Sequence, residues 1–179
     1  MRHILFLVLL AACLPLSAQA QKPPEKPTLK SILLEQLRST HNKAEWFVPA
    51  NTAVAGLTAE QANWTDGKGN HSVGQLVNHL IFWDRRSLEK FEGKPLEKYN
   101  GNNDETFTSF NSKQWSTAIQ QLDEVMTEWE KAVESADDSK LQNSYSMIAH
   151  IGTHNAYHIG QIIYVRKEQG SWNPANGVK

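Results

Sequence analysis

From Thr28 onward apolar residues return every three or four positions, at Ile32, Leu33, Leu37, Ala44, Phe47 and Val48, the spacing of one buried helical face. With Thr28 as N-cap, the pattern predicts a first helix ending near Leu57. "LTAEQANWTDGKGNHS" then offers a second cap at Thr58 and a run of Gly, Asp and Asn, and reads as a short helical turn followed by a loop. A second helix is expected from the Ser72 cap to Phe91, with Val73, Leu76, Leu80, Trp83 and Phe91 on one face and Gly93 and Pro95 as its stop. Lys94 to Asn111 have no sustained period and several turn formers, the mark of a long surface connection. A third helix from Ser112 to about Ala136 buries Trp115, Ile119, Leu122, Val125, Met126 and Trp129 and is closed by Asp137 and Asp138. The fourth begins between Ser139 and Ser144 and runs to Glu168, ahead of Gly170, leaving "SWNPANGVK" as a tail. No strand alternation occurs, so the expected fold is all-α, a four-helix bundle over residues 28–179.

Residues 1–20 stand apart from this pattern. "MRH", the apolar run "ILFLVLLAACLPL" and a small-x-small site at Ala18 to Ala20 form a secretory signal peptide, too short to span a membrane as a helix. Cleavage after Ala20 would leave the proline-rich tether 21–27 ahead of the bundle and a secreted or periplasmic protein. The alternative is a lipoprotein anchored at Cys13, which ends the lipobox-like "LAAC". Cys13 is the single cysteine, so the mature domain has no disulfide and must be held by its core. The 18 basic residues, less Arg2, face 19 acidic ones, a mature net charge of about −2. That balance gives no reason to expect nucleic acid or membrane insertion after leader removal.

The chemistry gathers in "HIGTHNAYHIGQ", His150 to Gln161, where three histidines recur at intervals of four. Residues four apart on a helix sit about 40° round and 6 Å along from one another, so neighbouring imidazoles can share an ion. His154 and His158 fall with the apolar stripe Met147, Ile151, Ile162 and Val165 and point inward. His150 lies at the stripe's edge, about 12 Å along the axis from His158, too far to share an ion with it. A transition-metal site needs a further ligand from another helix. His79, at the flank of the second helix's apolar face, is favoured, with His41 as a fourth or supporting group and His71 read as exposed. The competing interpretation is two core histidines bonded to polar neighbours, without metal. "HNAYH" lacks the internal acid of a zinc protease, so a base must come from elsewhere. Asp84 could orient a ligand or act as that base, or simply pair on the surface with Arg85 or Lys90. Gln161 is the natural neighbour to support a ligand. Trp64 is expected to pack at the bundle's end and Trp83, Trp115 and Trp129 in the core. Tyr157 and Tyr164 lie off the inward stripe, as half-buried surface or a homodimer contact.

"HSVGQLVNHLIFWDRR", "HIGTHNAYHIGQIIYVRKEQGSWNP" and the "GLTAEQANW" loop together resemble the DinB-like (DinB/YfiT) family over almost the whole mature chain. The resemblance implies a four-helix bundle holding a divalent metal, zinc or nickel, through His79, His154 and His158. It also implies chemistry on a small-molecule substrate: hydrolysis by a metal-activated water, or metal-dependent transfer to a thiol. A non-catalytic metal-binding or structural bundle is the third reading. Export favours hydrolysis, since low-molecular-weight thiols are kept reduced chiefly in the cytoplasm. The pocket mouth is expected between the loops 64–72 and 93–111.

Overall fold

The computed structural model describes residues 26–178; the expected leader with Cys13 and residues 21–25 of the expected tether lie outside the described residues. Six α-helices follow in order: α1 Leu29–His41, α2 Ala50–Val54, α3 Ala59–Asn63, α4 Val73–Glu92, α5 Ser112–Ser135 and α6 Asp138–Glu168. Single 3-10 turns lie at Asn103–Thr106 and Pro174–Asn176. Four helix starts carry reciprocal capping boxes: Thr28 with Ser31, Thr58 with Gln61, Ser72 with Gln75 and Asn111 with Gln114. Each satisfies two amides that the first helical turn leaves without partners, an N-cap alone contributing about 1 kcal/mol.

The expected first helix is cut short. α1 ends at His41, and the buried apolar residues beyond it, Val48, Ala50, Ala53 and Val54, are supplied by a bend and by α2, laid against α5 and α6. Pro49, the N-cap of α2, keeps one helix from running through Val48 into α2: it has no N–H to continue a helix and disfavours helical backbone at Val48. The acidic pair also does something other than close α5. Asp137 is the N-cap of α6, its carboxylate accepting from the Lys140 amide at 2.8 Å, and α6 starts at Asp138. Negative charge is favourable at that end of the helix dipole.

α1 packs mainly on α5 and α6, and α4 packs mainly on the same two, so α1 and α4 occupy opposite corners of a four-helix bundle. Trp115 and Trp129 are buried, and their indole N–H groups donate to the carbonyls of Leu57 and Asp84 at 3.0 and 2.9 Å. Trp83, expected in the core, is only half-buried, because α4 turns that ring towards the 94–111 connection, where Nε1 donates to Asn103 Oδ1. Arg166, in the buried stripe of α6, is a clamp that periodicity alone does not announce. Its guanidinium donates to the carbonyls of Ala53, Ala55 and Ser171 and lies over the Trp172 ring, fastening α2 and the C-terminal tail to α6.

The core is two apolar clusters, one around Leu76, Leu80, Leu122 and Ile162, the other around Leu37, Phe91, Trp129 and Ile148. On α4 and α6 the boundary between them is polar. Asp84, fully buried, accepts from Asn155 Nδ2 at 3.0 Å, and does not pair with Arg85 or Lys90; Arg85 reaches Glu124 and Glu128 instead. Asp84 Oδ1 and Asn155 Oδ1 have no partner among the described residues, an arrangement that a proton on Asp84 would relieve by making one of the two oxygens a donor. Burial pushes this carboxyl up to about 7, against the opposing hydrogen bond from Asn155.

An unfolded Asp84 titrates at the ordinary carboxylate value, so between about pH 4 and pH 7 the folded chain binds a proton that the unfolded chain lacks. Its contribution to stability therefore falls as pH rises through that window. Asp84→Asn is expected to remove this part of the pH slope and to be at least as stable as wild type near pH 7, since the amide supplies a permanent donor. Asp84→Ala, which strands the Asn155 amide, should cost about 1–3 kcal/mol. Urea denaturation from about pH 5 to pH 7 measures both, and identical pH slopes for wild type and Asp84→Asn would contradict the assignment.

Candidate metal centre

α4 carries His79 one residue before Leu80 on the side that meets α6, and α6 presents His154 and His158 one turn apart on the facing side. The helix packing brings three imidazoles to one point. His79 Nε2 and His158 Nε2 each lie 3.1 Å from His154 Nε2, and ligand atoms of the three rings all fall within 4.8 Å of one another. No carboxylate joins the cluster among the described residues.

The outer nitrogens decide what the inner ones can do. His79 Nδ1 is 2.6 Å from Thr106 Oγ1, and the Thr106 hydroxyl already donates to the Asn103 carbonyl at 2.7 Å, so towards His79 it can only accept. His158 Nδ1 is 2.6 Å from Gln161 Oε1, a carbonyl oxygen that can only accept. Both rings therefore carry their proton on Nδ1, a tautomer assigned from the bonding pattern, and both Nε2 atoms are bare lone pairs. His154 Nε2 can offer at most one proton between them. His79, His154 and His158 could together offer three nitrogen ligands to one divalent ion.

Electrostatics keeps the rings in the ligand form. Burial, then the neighbouring imidazoles, draws His79 down to about 3; burial, then His158, draws His154 to about 4. Burial lowers His158 as well, opposed by its bond to Gln161. Near neutral pH no proton has to leave before these nitrogens can coordinate.

The 94–111 connection builds the outer wall. Its 3-10 turn buries Thr106 beneath His79, and Asn78, the residue before His79, donates to the Thr106 carbonyl and to Thr108 Oγ1. Phe107 is stacked on His79 at 4.1 Å and 6°, and the exposed His71 stacks on Phe107 at 3.8 Å and 3°. Neither Thr106 nor Phe107 was discernible as a site residue, because both sit in a segment without periodicity. The only signal is a hydroxyl and an aromatic beside the turn formers of "NGNNDETF".

Two clefts open beside the cluster. One of about 680 Å³ is lined by His79, His154, Trp83, Met147, His150 and Tyr157; another of about 550 Å³ is lined by the 64–71 loop together with Tyr157 and Gln161. The two loops do not share one mouth: Asn103 of the 93–111 loop lines the cleft with His79 and His154, while the 64–71 segment lines the other. His150 is an exposed lining residue outside the cluster, and Tyr157 and Tyr164 are exposed. Trp64 packs against the core and also lines the second cleft.

His41 is not part of the centre, contrary to the expectation of a fourth or supporting group. α1 sits diagonally across the bundle from α4, and the buried His41 ring is held between two carboxylates of α5, Nδ1 to Glu130 at 2.6 Å and Nε2 to Asp123 at 2.9 Å. Asp84 bonds to Asn155 rather than to a ligand ring.

A sequence model described as the DinB superfamily matches residues 50–162, more than half of the chain and all three clustered histidines. Neither a curated protein nor a solved structure matches the chain.

Removing an outer partner frees a ligand ring to rotate and lose its tautomer. Thr106→Val and Gln161→Met are each expected to weaken divalent-ion affinity about 10- to 100-fold while the helical circular dichroism stays unchanged. Competition against a chromophoric chelator measures this, and unchanged affinity in both variants would show that the outer bonds do not orient the rings.

Proposed function

This chain belongs to the DinB superfamily, and from that premise we propose that it is an exported metal-dependent hydrolase acting on a small molecule at His79, His154 and His158. The observation that carries the reading is the convergence of bare Nε2 lone pairs, with the opposite nitrogens of His79 and His158 committed to Thr106 and Gln161. Closed structural sites take four protein ligands. Here two of the three clustered imidazoles, those of His79 and His154, border a cleft of about 680 Å³ and no carboxylate completes the shell among the described residues, which supports a site that keeps positions open for reactants.

When bound, a divalent ion supplies a water acidified towards neutrality and a polarised acceptor for a substrate oxygen. The chain's own residues do the rest. Thr106 and Gln161 fix the two rings, and Phe107, stacked on His79, keeps solvent from its outer face. The Tyr157 hydroxyl accepts from Gln161 Nε2 at 3.3 Å and lies where the clefts meet. Its own hydrogen is left to donate to a ligand oxygen. The leader in residues 1–20 supports water over a thiol as the attacking group, for the redox reason given above.

The test is elemental analysis of protein purified without a metal-affinity tag. Wild type and His150→Ala are expected to retain about one equivalent of zinc or nickel, and His79→Ala and His154→Ala to lose it. Chelation should lower the wild-type Tm and leave the two ligand variants unmoved, because only a site formed in the folded state gains stability from the ion. Metal retained in His79→Ala would overturn the ligand set. Turnover that requires an added thiol would replace the hydrolase by the transferase.

A further inference from the structure

The cleft of about 550 Å³ has a floor that helix stability alone does not explain. Gly160 lies inside α6 with no positive φ, and a Cβ added there would meet nothing within 4 Å. Gly152, two turns earlier, differs: a Cβ there would come within 3.5 Å of Gln36, where α1 crosses. A glycine within a helix weakens it relative to alanine. No close packing requires Gly160, and its missing side chain keeps the floor open between Tyr157 and Tyr164, seven residues apart on the same face and 64 % and 63 % exposed.

The walls have a defined chemistry. Trp64, Tyr157 and Tyr164 offer aromatic surface, Asp66 and Glu168 offer carboxylates, and no lysine or arginine lines the cleft. The Asp66 carboxylate accepts from the Lys68 backbone amide and from Asn70, bonds that hold it below the usual carboxylate range and therefore charged. Lys68 acts on Asp66 from outside the lining. Aromatic faces beside negative charge recognise organic cations, and the volume is that of a small-molecule site. Gln161, at the inner end, bonds to His158, while Glu168 lies seven residues further on, about 10 Å along α6.

We infer that this second cleft binds an organic ammonium group, so that the substrate is an elongated amine whose cationic end rests among Trp64, Tyr164 and Glu168 while its other end reaches the histidines. The placing of the cation within a substrate rests on the reading of the histidines as a reaction centre; its binding in the cleft does not.

The experiment uses chelator-treated protein, so that cation binding and metal content are separate readouts. Choline, n-butylammonium and the uncharged isostere of choline with carbon in place of nitrogen are titrated while the Trp64 indole and Gly160 amide resonances are followed by NMR. Both cations are expected to bind with millimolar or tighter Kd, and the isostere about tenfold more weakly. Glu168→Gln should weaken the cations about fivefold and leave the isostere unchanged, and Gly160→Leu should abolish binding with a Tm at or above that of wild type. Equal affinity for choline and its isostere, no binding of either cation, or choline binding that survives Gly160→Leu overturns the inference. His154→Ala is expected to bind choline like wild type. That result, together with loss of metal, separates the two sites, and loss of choline binding in that variant would contradict an independent cation cleft.

Discussion

Two imidazole lone pairs aimed at the nitrogen of a third ring cannot both be met by protein hydrogens, and much of the site's design follows from that frustration. The protons of His79 and His158 are fixed on the far side by acceptors with nothing to give back, Thr106 because its hydroxyl hydrogen is spent on Asn103, Gln161 because it presents its carbonyl oxygen. The rings are packed closely enough that burial disfavours protonation as a way out. A divalent ion held by the three rings would relieve the conflict. The outer residues are therefore as much a part of the centre as the ligand rings, which is why the connection carrying Thr106 is tied down by Asn78 immediately beside His79.

His41 is the informative contrast within the same bundle. It too is a buried histidine on a helix, yet both its nitrogens meet carboxylates, and nothing is left to coordinate. The other polar groups of the interior follow the same rule of satisfaction by neighbouring elements: Arg166 by three carbonyls, the Trp115 and Trp129 indoles by backbone oxygens. Asp84 and Asn155 depart from it, with one unpartnered oxygen apiece among the described residues, on the border between two apolar clusters. Burial favours a proton on the carboxyl, which would give Asp84 a donor of its own.

The clefts show how helices and loops divide the work. α6 contributes ligands, the Gln161 support and the Tyr157 divider at one-turn intervals, so their relative placement is rigid. The segments 64–71 and 94–111 contribute walls, and of these the 94–111 segment also holds a ring in place through Thr106 and Phe107. Gly160 gives up helix stability on α6 to keep space beside the 64–71 segment.

The sequence by itself determined the elements and the inward face. Helical periodicity, the caps at Thr28, Thr58 and Ser72, and the four-residue spacing of His154 and His158 are local properties, and local geometry carries them into the structure almost unchanged. The tertiary structure decided what depends on contact between distant segments. α1 and α4 both pack on α6, so whether His79 or His41 meets the α6 pair depends on the face each helix turns to it: His41 faces the α5 carboxylates instead, and periodicity is the same either way. Thr106 and Phe107 come from a segment with no pattern, and Asp84 looks like surface until packing encloses it. The break after His41 lies between these cases: Pro49 announces it, but the buried residues on both sides continue the helical rhythm because α2 covers the same core from another direction. Spacing within one helix is fixed by backbone hydrogen bonds, while the partner across the bundle is fixed by how whole faces bury one another.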